Sequence, residues 1–406
     1  MTDLPIAILG AGPIGLDAAL AAIDAGLHFR LYEAAPHPAG GMRRWGHVRL
    51  FTPWELTVSQ RMARHLAAAG RLVPGGDTCP TADEVAELLL DPIAGLPEIA
   101  PRLESGTRVL AVGREGLLKH EEIASEGRAA RPFRLLVRGA DGRERIERAR
   151  VVIDCTGTYS APNTLGDGGI PAPGEVENAA RILRHIPDPA AEPGAWAGKR
   201  ILVVGAGHSA QTAICDLAAF AEEHPGTDIV WALRHPEPRW RIDPEDPLPE
   251  RSGLTERAAR LAAGESAHVE TLHGVAVEAV AGEAEGLRVT LRRTGGSPTE
   301  VGVDLVLALT GYTGDASLYR QLQVHECYAT SGPMKLAAAL QGGSSDCLAQ
   351  ESHGAETLTS PEPGFFILGI KSYGRSPGFL MRIGYRQVDE AFSLLAAPAI
   401  QLSSRP

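Results

Sequence analysis

Two stretches of the chain carry the same local device. "IAILGAGPIGLDAALAAI" begins at Ile6, and "RILVVGAGHSAQTAICDL" begins at Arg200. Each reads as an apolar strand, a glycine turn and the opening of a helix. A strand that feeds a helix through such a turn commits the chain to a parallel sheet, because the helix carries it back for the next strand. The device occurs twice, so the prediction is an α/β protein with two Rossmann-like, three-layer dinucleotide-binding domains. The 406 residues are enough for two or three domains with real cores.

In the first copy Gly10, Gly12 and Gly15 fit G-x-G-x-x-G, Pro13 opens the helix and Gly26 ends it. Gly10 allows the tight turn, Gly12 lets a pyrophosphate approach bare backbone, and Gly15 lets helix and strand pack closely. The helix N-terminus offers its unpaired N–H groups to the phosphates. The next strand, "HFRLYE", closes at Glu33, twenty-one residues after Gly12. That is the place for an acid that accepts hydrogen bonds from an adenosine ribose.

In the second copy Gly205 and Gly207 are followed by His208 and Ser209, and Ala210 stands in the third glycine's place. The next strand, "DIVWALR", ends in Arg234 and not in an acid. An arginine there suits the 2′-phosphate of NADP through a charge-assisted contact. Two dinucleotides on one chain make a useful pair when one is a flavin and the other a nicotinamide that reduces it. The expectation is FAD at the first turn and NADPH at the second.

The rest of the chain fits this plan. "PTADEVAELLL" carries a capping box, with Thr81 at the N-cap and Glu84 three residues later. "TRVLAVGRE", "FRLLVRG" and "ERIERARVVIDCTG" read as three strands of a meander ending at Thr156 and Gly157. "HVETLHGVAVEAV", "LRVTLRRT" and "EVGVDLVLALTG" repeat the pattern, ending at Thr310 and Gly311. Glycines at those ends suit a chain crossing beside a bound dinucleotide. "SAPNTLGDGGIPAPGE" reads as linker. The predicted FAD domain is therefore 1–164 with 310–406, and the NADPH domain, 165–309, is inserted into it. Phe365–Leu368 is a predicted strand. Pro377–Leu395 is a predicted helix with Ser376 as its N-cap, its dipole suited to reduced flavin.

Composition narrows the partners. The net charge of −11 disfavours nucleic acid or an anionic membrane. No N-terminal signal pattern or membrane-spanning apolar run is present in the sequence. The cysteines, at 79, 155, 215, 327 and 347, are odd in number and widely spaced, without CxxC. A reducing cytoplasm and no metal site are the expectation.

The motifs "GAGPIGLDAA" with "LYEAA", "GGMRRW", "IDCTGTYSAPN", "GKRILVVGAGHSA", "WALRHPEPRW" and "LALTGY" span almost the whole chain. Together they resemble the flavoproteins with two dinucleotide-binding domains and, within them, the flavin-containing (class B type) monooxygenase branch. "GEVENAARILRHIPD" keeps His185 but lacks the aromatic–glycine start of that branch's F-x-G-x-x-x-H. The tail "KSYGRSPGFL" resembles a group of bacterial FAD-dependent oxidoreductases. The resemblance implies that Gly40 and Gly41 lie at the FAD with Trp45 near them, and that Ser209 lies at the NADP pyrophosphate. It also implies oxidation of a small substrate with a soft nitrogen or sulfur by molecular oxygen, through a flavin peroxide.

Such an enzyme needs no protein nucleophile, and no catalytic residue is singled out. The alternative is an NADPH-dependent thiol or disulfide reductase using Cys347, with His353 nearby and Cys327 as second sulfur. A non-catalytic redox-sensing flavoprotein is a third class. Arg239, Trp240 and Arg241 lie in a proline-rich loop after the NADPH strand, placed to cover the nucleotide or simply solvated. Lys371, Tyr373 and Arg375 lie on the flavin side, to touch flavin or substrate or only to cap backbone.

Overall fold

The structure is a computed structural model that describes residues 4–396, apart from 239, 241, 243–245, 247, 294, 342–351 and 377. Ile6–Leu9 (β1) is buried at all four positions, as a strand covered on both faces must be. Pro13–Asp24 (α1) follows, with Gly12 at its N-cap and Pro13 at its first position. It stops at Gly26, whose φ of 63° favours glycine. Phe29–Tyr32 (β2) returns parallel to β1.

The capping box of Thr81 and Glu84 is present, opening the helix Ala82–Val85. This runs through a wider turn, Ala86–Leu90, into Asp91–Ala94. Pro92, which has no N–H for Leu88, stands just after the widened turn. Gln60–Ala68 (α2), capped by Ser59, packs on α1. Leu103–Glu104 (β3) joins the far side of β2.

Arg108–Arg114 (β4), Phe133–Arg138 (β5) and Glu144–Ala149 (β6) form an antiparallel meander. The predicted third strand is in fact two: it breaks at Arg150, and Val151–Asp154 (β7) enters the parallel sheet beside β1. The pattern changes at that break. "ERIERA" is largely exposed, whereas "VVID" is buried throughout.

Contacts divide the chain into two units, Met1–Ala161 with Thr313–Pro406, and Pro162–Tyr312. The second unit begins with the stretch expected to be linker, which is instead held by one acid. Buried Glu175 accepts from the backbone N of Leu165 and Ala172 and pairs with Arg184 at 2.6 Å. Ile182–Leu183 (β8) precedes Arg200–Val204 (β9), His208–Glu223 (α3), Asp228–Leu233 (β10), Pro249–Ala262 (α4) and Val269–His273 (β11). The meander is Val275–Glu283 (β12), Gly286–Arg293 (β13) and Thr299–Val303 (β14), and Leu305–Ala308 (β15) returns beside β9. Here too single predicted strands are split, at Gly274 and at Asp304. Phe365–Ile367 (β16) then completes the first unit's sheet. The predicted C-terminal helix starts later than expected, at Met381, and runs to Ala396 (α5). Ser376 is not its cap; its N–H closes a turn on the Tyr373 carbonyl.

Both parallel sheets have one logic. The first orders as β16-β7-β1-β2-β3 and the second as β8-β15-β9-β10-β11. In each, the strand before the glycine turn is central. Strand periodicity then divides β1 between two cores. Ile6 and Ile8 pack with Leu16, Leu20 and Val388 of the helices. Ala7 and Leu9 pack with Phe133, Leu135 and Val137 of the meander. In the second unit, Leu202 of β9 meets Val277, Val289 and Val301 in the same way. No helix among the described residues is long and apolar enough to cross a membrane.

Candidate functional site

The first turn separates two uses of glycine. Gly10 has φ 94°, and a Cβ there would lie 2.6 Å from the Cys155 carbonyl oxygen. A Cβ on Gly15 would lie 1.8 Å from the Gly10 carbonyl oxygen. Neither place admits a side chain. Gly12 has an ordinary φ of −79°, and no protein atom lies within 4 Å of where its Cβ would be. The fold itself tolerates a side chain at Gly12; a ligand lying on the turn would not. The first N–H groups of α1 have no side-chain cap and suit an anion.

Glu33 is already engaged by the turn. One carboxylate oxygen accepts from the N–H of Ala11 and the other from that of Ala35, each at 2.8 Å. An ionised carboxylate accepts about four hydrogen bonds, so capacity remains for ribose hydroxyls. Gly40 and Gly41 open the short helix Gly40–Arg43, tied to the turn by Ala39 N–H on the Ala11 carbonyl at 3.0 Å. The neighbour of Gly40 requires it to be small, and that of Gly41 crowds any side chain. A Cβ would lie 2.2 Å from that of Ala35 at Gly40, and 3.1 Å from the Tyr159 ring at Gly41. Trp45 leans on Tyr159 at 5.9 Å between ring centroids. Trp45 Nε1 and His47 Nε2 are buried with no hydrogen-bond partner among the described residues. Such atoms normally find one, so the pair fits a ligand with acceptor groups.

Asp154 ends β7 and shapes Thr156–Gly157. Its Oδ1 accepts from Thr156 N at 3.0 Å and Thr156 Oγ1 at 2.6 Å, and Gly157 adopts φ 68°. Lys371, expected on the flavin side, is buried and donates to Asp154 Oδ2 at 2.7 Å and Thr156 Oγ1 at 3.1 Å. Tyr373 is buried and Arg375 exposed. Burial pushes the Cys155 thiol well above its ordinary range, reinforced by the Asp154 charge.

The second turn repeats the first. Gly205 has φ 133°, and a Cβ there would meet the Leu309 carbonyl oxygen at 2.2 Å; Gly207 has open space. Ala210 is fully buried, while His208 and Ser209 are exposed. Sequence reasoning missed the residues that hold this turn. Trp231 Nε1 donates to the Gly205 carbonyl at 2.8 Å. Gln211 donates to the Ala206 carbonyl at 3.0 Å and accepts from Thr255 at 3.0 Å. A tryptophan in a buried strand needs such a partner, and that was the available signal. Arg234 is exposed, with no side-chain ion pair or hydrogen bond among the described residues. Gly311 has φ 87°, and its carbonyl accepts from Asn163 N at 2.9 Å.

Trp240 lies 5.6 Å from Trp231 between ring centroids, on the loop after β10. Arg239, Arg241 and Cys347 lie outside the described residues. Cys327 is buried, and His353 Nε2 is buried with no hydrogen-bond partner among the described residues.

Two parallel sheets of matching order, each with a glycine turn at its central strand and an antiparallel meander, define the fold of flavoproteins with two dinucleotide-binding domains. No protein-family profile matches the sequence, and no curated protein matches it. Solved structures match over nearly the whole chain. Bacillithiol disulfide reductase from Bacillus cereus aligns with TM-score 0.66 at 17% identity, covering 97% of this chain and 98% of that one. Kutzneria sp. 744 ornithine N-hydroxylase, solved with reduced FAD, NADP+ and L-ornithine, gives 0.63 at 15%, covering 97% and 98%. The FAD-bound cadaverine monooxygenase DfoA from Erwinia amylovora gives 0.65 at 13%, covering 100% and 99%. This chain shares their fold.

Proposed function

We propose that the protein is an FAD- and NADPH-dependent oxidoreductase, with FAD on the first unit (1–164 with 310–406 by sequence) and NADPH on the second (165–309). One observation carries this reading. Gly12 and Gly207 are the two glycines of their turns that packing does not demand, and both lie at uncapped helix N-termini. That is where the pyrophosphate of a dinucleotide needs bare backbone.

On the first unit, Gly10, Gly12, Pro13 and Gly15 form the phosphate seat, and Glu33 takes the ribose. Gly40, Gly41 and Gly157 line the remainder, and Trp45 Nε1 and His47 Nε2 offer donors. On the second, Gly205, Gly207, His208, Ser209 and Ala210 form the seat, with Gly311 beside it. Arg234, exposed and without an ion pair among the described residues, offers its guanidinium to a 2′-phosphate, which favours NADPH over NADH. When bound, the flavin supplies the chemistry of accepting a hydride and passing electrons to a second acceptor.

Molecular oxygen is the acceptor we favour, with a small substrate bearing a soft nitrogen or sulfur. "GGMRRW" and "LALTGY" support the monooxygenase reading. Reduction of a thiol or disulfide through Cys347 is the rival. The deciding experiment is steady-state NADPH oxidation by FAD-loaded protein, with and without oxygen, for the wild type and Cys347→Ser. An oxygen-dependent rate unchanged in Cys347→Ser supports the oxygenase. Turnover lost in the variant while the flavin is still reduced supports the reductase.

A further inference from the structure

Lys371 and Asp154 are both almost completely buried; their side chains are 1% and 0% exposed. Lysine is rarely found so deep, and desolvating two charges is expensive unless the geometry is good and the remaining donors are used. Here they are. Nζ donates to Asp154 Oδ2 at 2.7 Å and to Thr156 Oγ1 at 3.1 Å, and it lies 5.1 Å from the centroid of the Tyr319 ring. The stem is accommodated as well. A Cβ on Gly314 would come within 2.6 Å of Lys371 Cγ.

The segments joined by this pair flank the first glycine turn. On one side, the Cys155 carbonyl lies against Gly10 and the Cys155 Cβ lies 3.5 Å from a Cβ placed on Gly15. On the other, Gly369 rides on Ile14, two residues after Gly12, with 3.2 Å from its Cβ position to Ile14 Cγ1. Asp154 leads directly into the first segment, and Lys371 is two residues beyond Gly369 in the second. We propose that the Lys371–Asp154 pair is a clamp fixing the seat of the first unit's dinucleotide, which makes Lys371 a positioning residue for FAD. Lys371 touches Asp154 and Thr156, and acts on the ligand through the Cys155–Gly157 crossing. The inference rests on the assignment of FAD to this unit.

The test measures FAD affinity by quenching of flavin fluorescence on the apoprotein, and apoprotein stability by thermal melting. Lys371→Met alone strands a buried carboxylate. The informative protein is therefore Lys371→Met with Asp154→Asn, which removes both charges and keeps an acceptor for Thr156. The expected result is an apoprotein melting close to the wild type with FAD binding weakened at least tenfold. FAD affinity within twofold of the wild type would overturn the clamp. If the double variant does not fold, Thr156→Val decides. Thr156 is exposed, and the change removes its hydroxyl's bonds to Lys371 and Asp154 while leaving the ion pair. A threefold or greater loss of FAD affinity supports the clamp, and a smaller change overturns it. A wild-type apoprotein that takes up no FAD would instead refute the cofactor assignment.

Discussion

At the scale of single residues, the five turn glycines and one alanine divide into those the fold needs and those a ligand needs. Gly15→Ala pushes a methyl group to 1.8 Å from the Gly10 carbonyl oxygen, so it should damage the apoprotein itself. Gly12→Val places its Cβ where no protein atom lies within 4 Å. It should leave the apoprotein's melting temperature nearly unchanged and abolish FAD uptake, read by absorbance after reconstitution. Equal stability losses in the two variants would refute the distinction. Arg234 gives a parallel test on the second unit. A charge-assisted hydrogen bond contributes about 1.5–3 kcal/mol, so Arg234→Ala should weaken NADPH binding about tenfold or more. NADH binding should hardly change, and equal losses would remove the 2′-phosphate role. These positions were legible in the sequence because the fingerprint is local: every residue lies within a few positions of its strand end. Lys371 was not, because its partner Asp154 is 217 residues away in the chain. No periodicity or spacing reports such a pair.

At the scale of elements, α1 both presents the turn and carries a buried acid behind it. Asp17 accepts from Ser59 Oγ and from Arg61, each at 2.5 Å. Arg61 also bonds Asp389, so α1, α2 and α5 meet at one guanidinium. Burial pushes the Asp17 carboxyl up to about 6, only partly offset by Arg61 and Ser59. The folded protein therefore binds this proton more tightly than the unfolded chain does. The contribution to stability is full below about pH 4 and is lost as the pH rises through 6. A shift of this size is worth about 2–3 kcal/mol. Urea denaturation between pH 4 and 7 should show that decline in the wild type, and Asp17→Asn should flatten it. The same slope in both proteins would exclude Asp17 as its source. Elements were legible where pattern and packing agree, as in the Thr81–Glu84 capping box. They were misread at Arg150, Gly274 and Asp304, where one β-rich run crosses from sheet to meander or back. A continuous β signal does not report a change of layer. The expected linker before β8 was misread for a related reason. Its Pro and Gly content marks irregular backbone, but the Glu175 carboxylate that organises it acts across the segment.

At the scale of the whole molecule, the chain carries two sheets of the same order, β16-β7-β1-β2-β3 and β8-β15-β9-β10-β11. Their outermost strands have opposite origins. The first unit takes its edge strand from residues after the second unit, whereas the second takes its own from residues before its glycine turn. Insertion of one unit within the other thus still completes both sheets. The doubled fold was legible from the doubled turn. The choice between oxygen and a disulfide as final acceptor was not, since Cys347 stands in a stretch with no local motif. On this reading NADPH delivers electrons to a flavin held by this chain. The most direct measurement is anaerobic mixing of FAD-loaded protein with NADPH or NADH while the flavin absorbance is followed. The prediction is bleaching by NADPH that is much faster than by NADH, with colour restored when oxygen is admitted. Protein that never takes up FAD, or bound FAD that NADPH leaves oxidised, would refute this electron path.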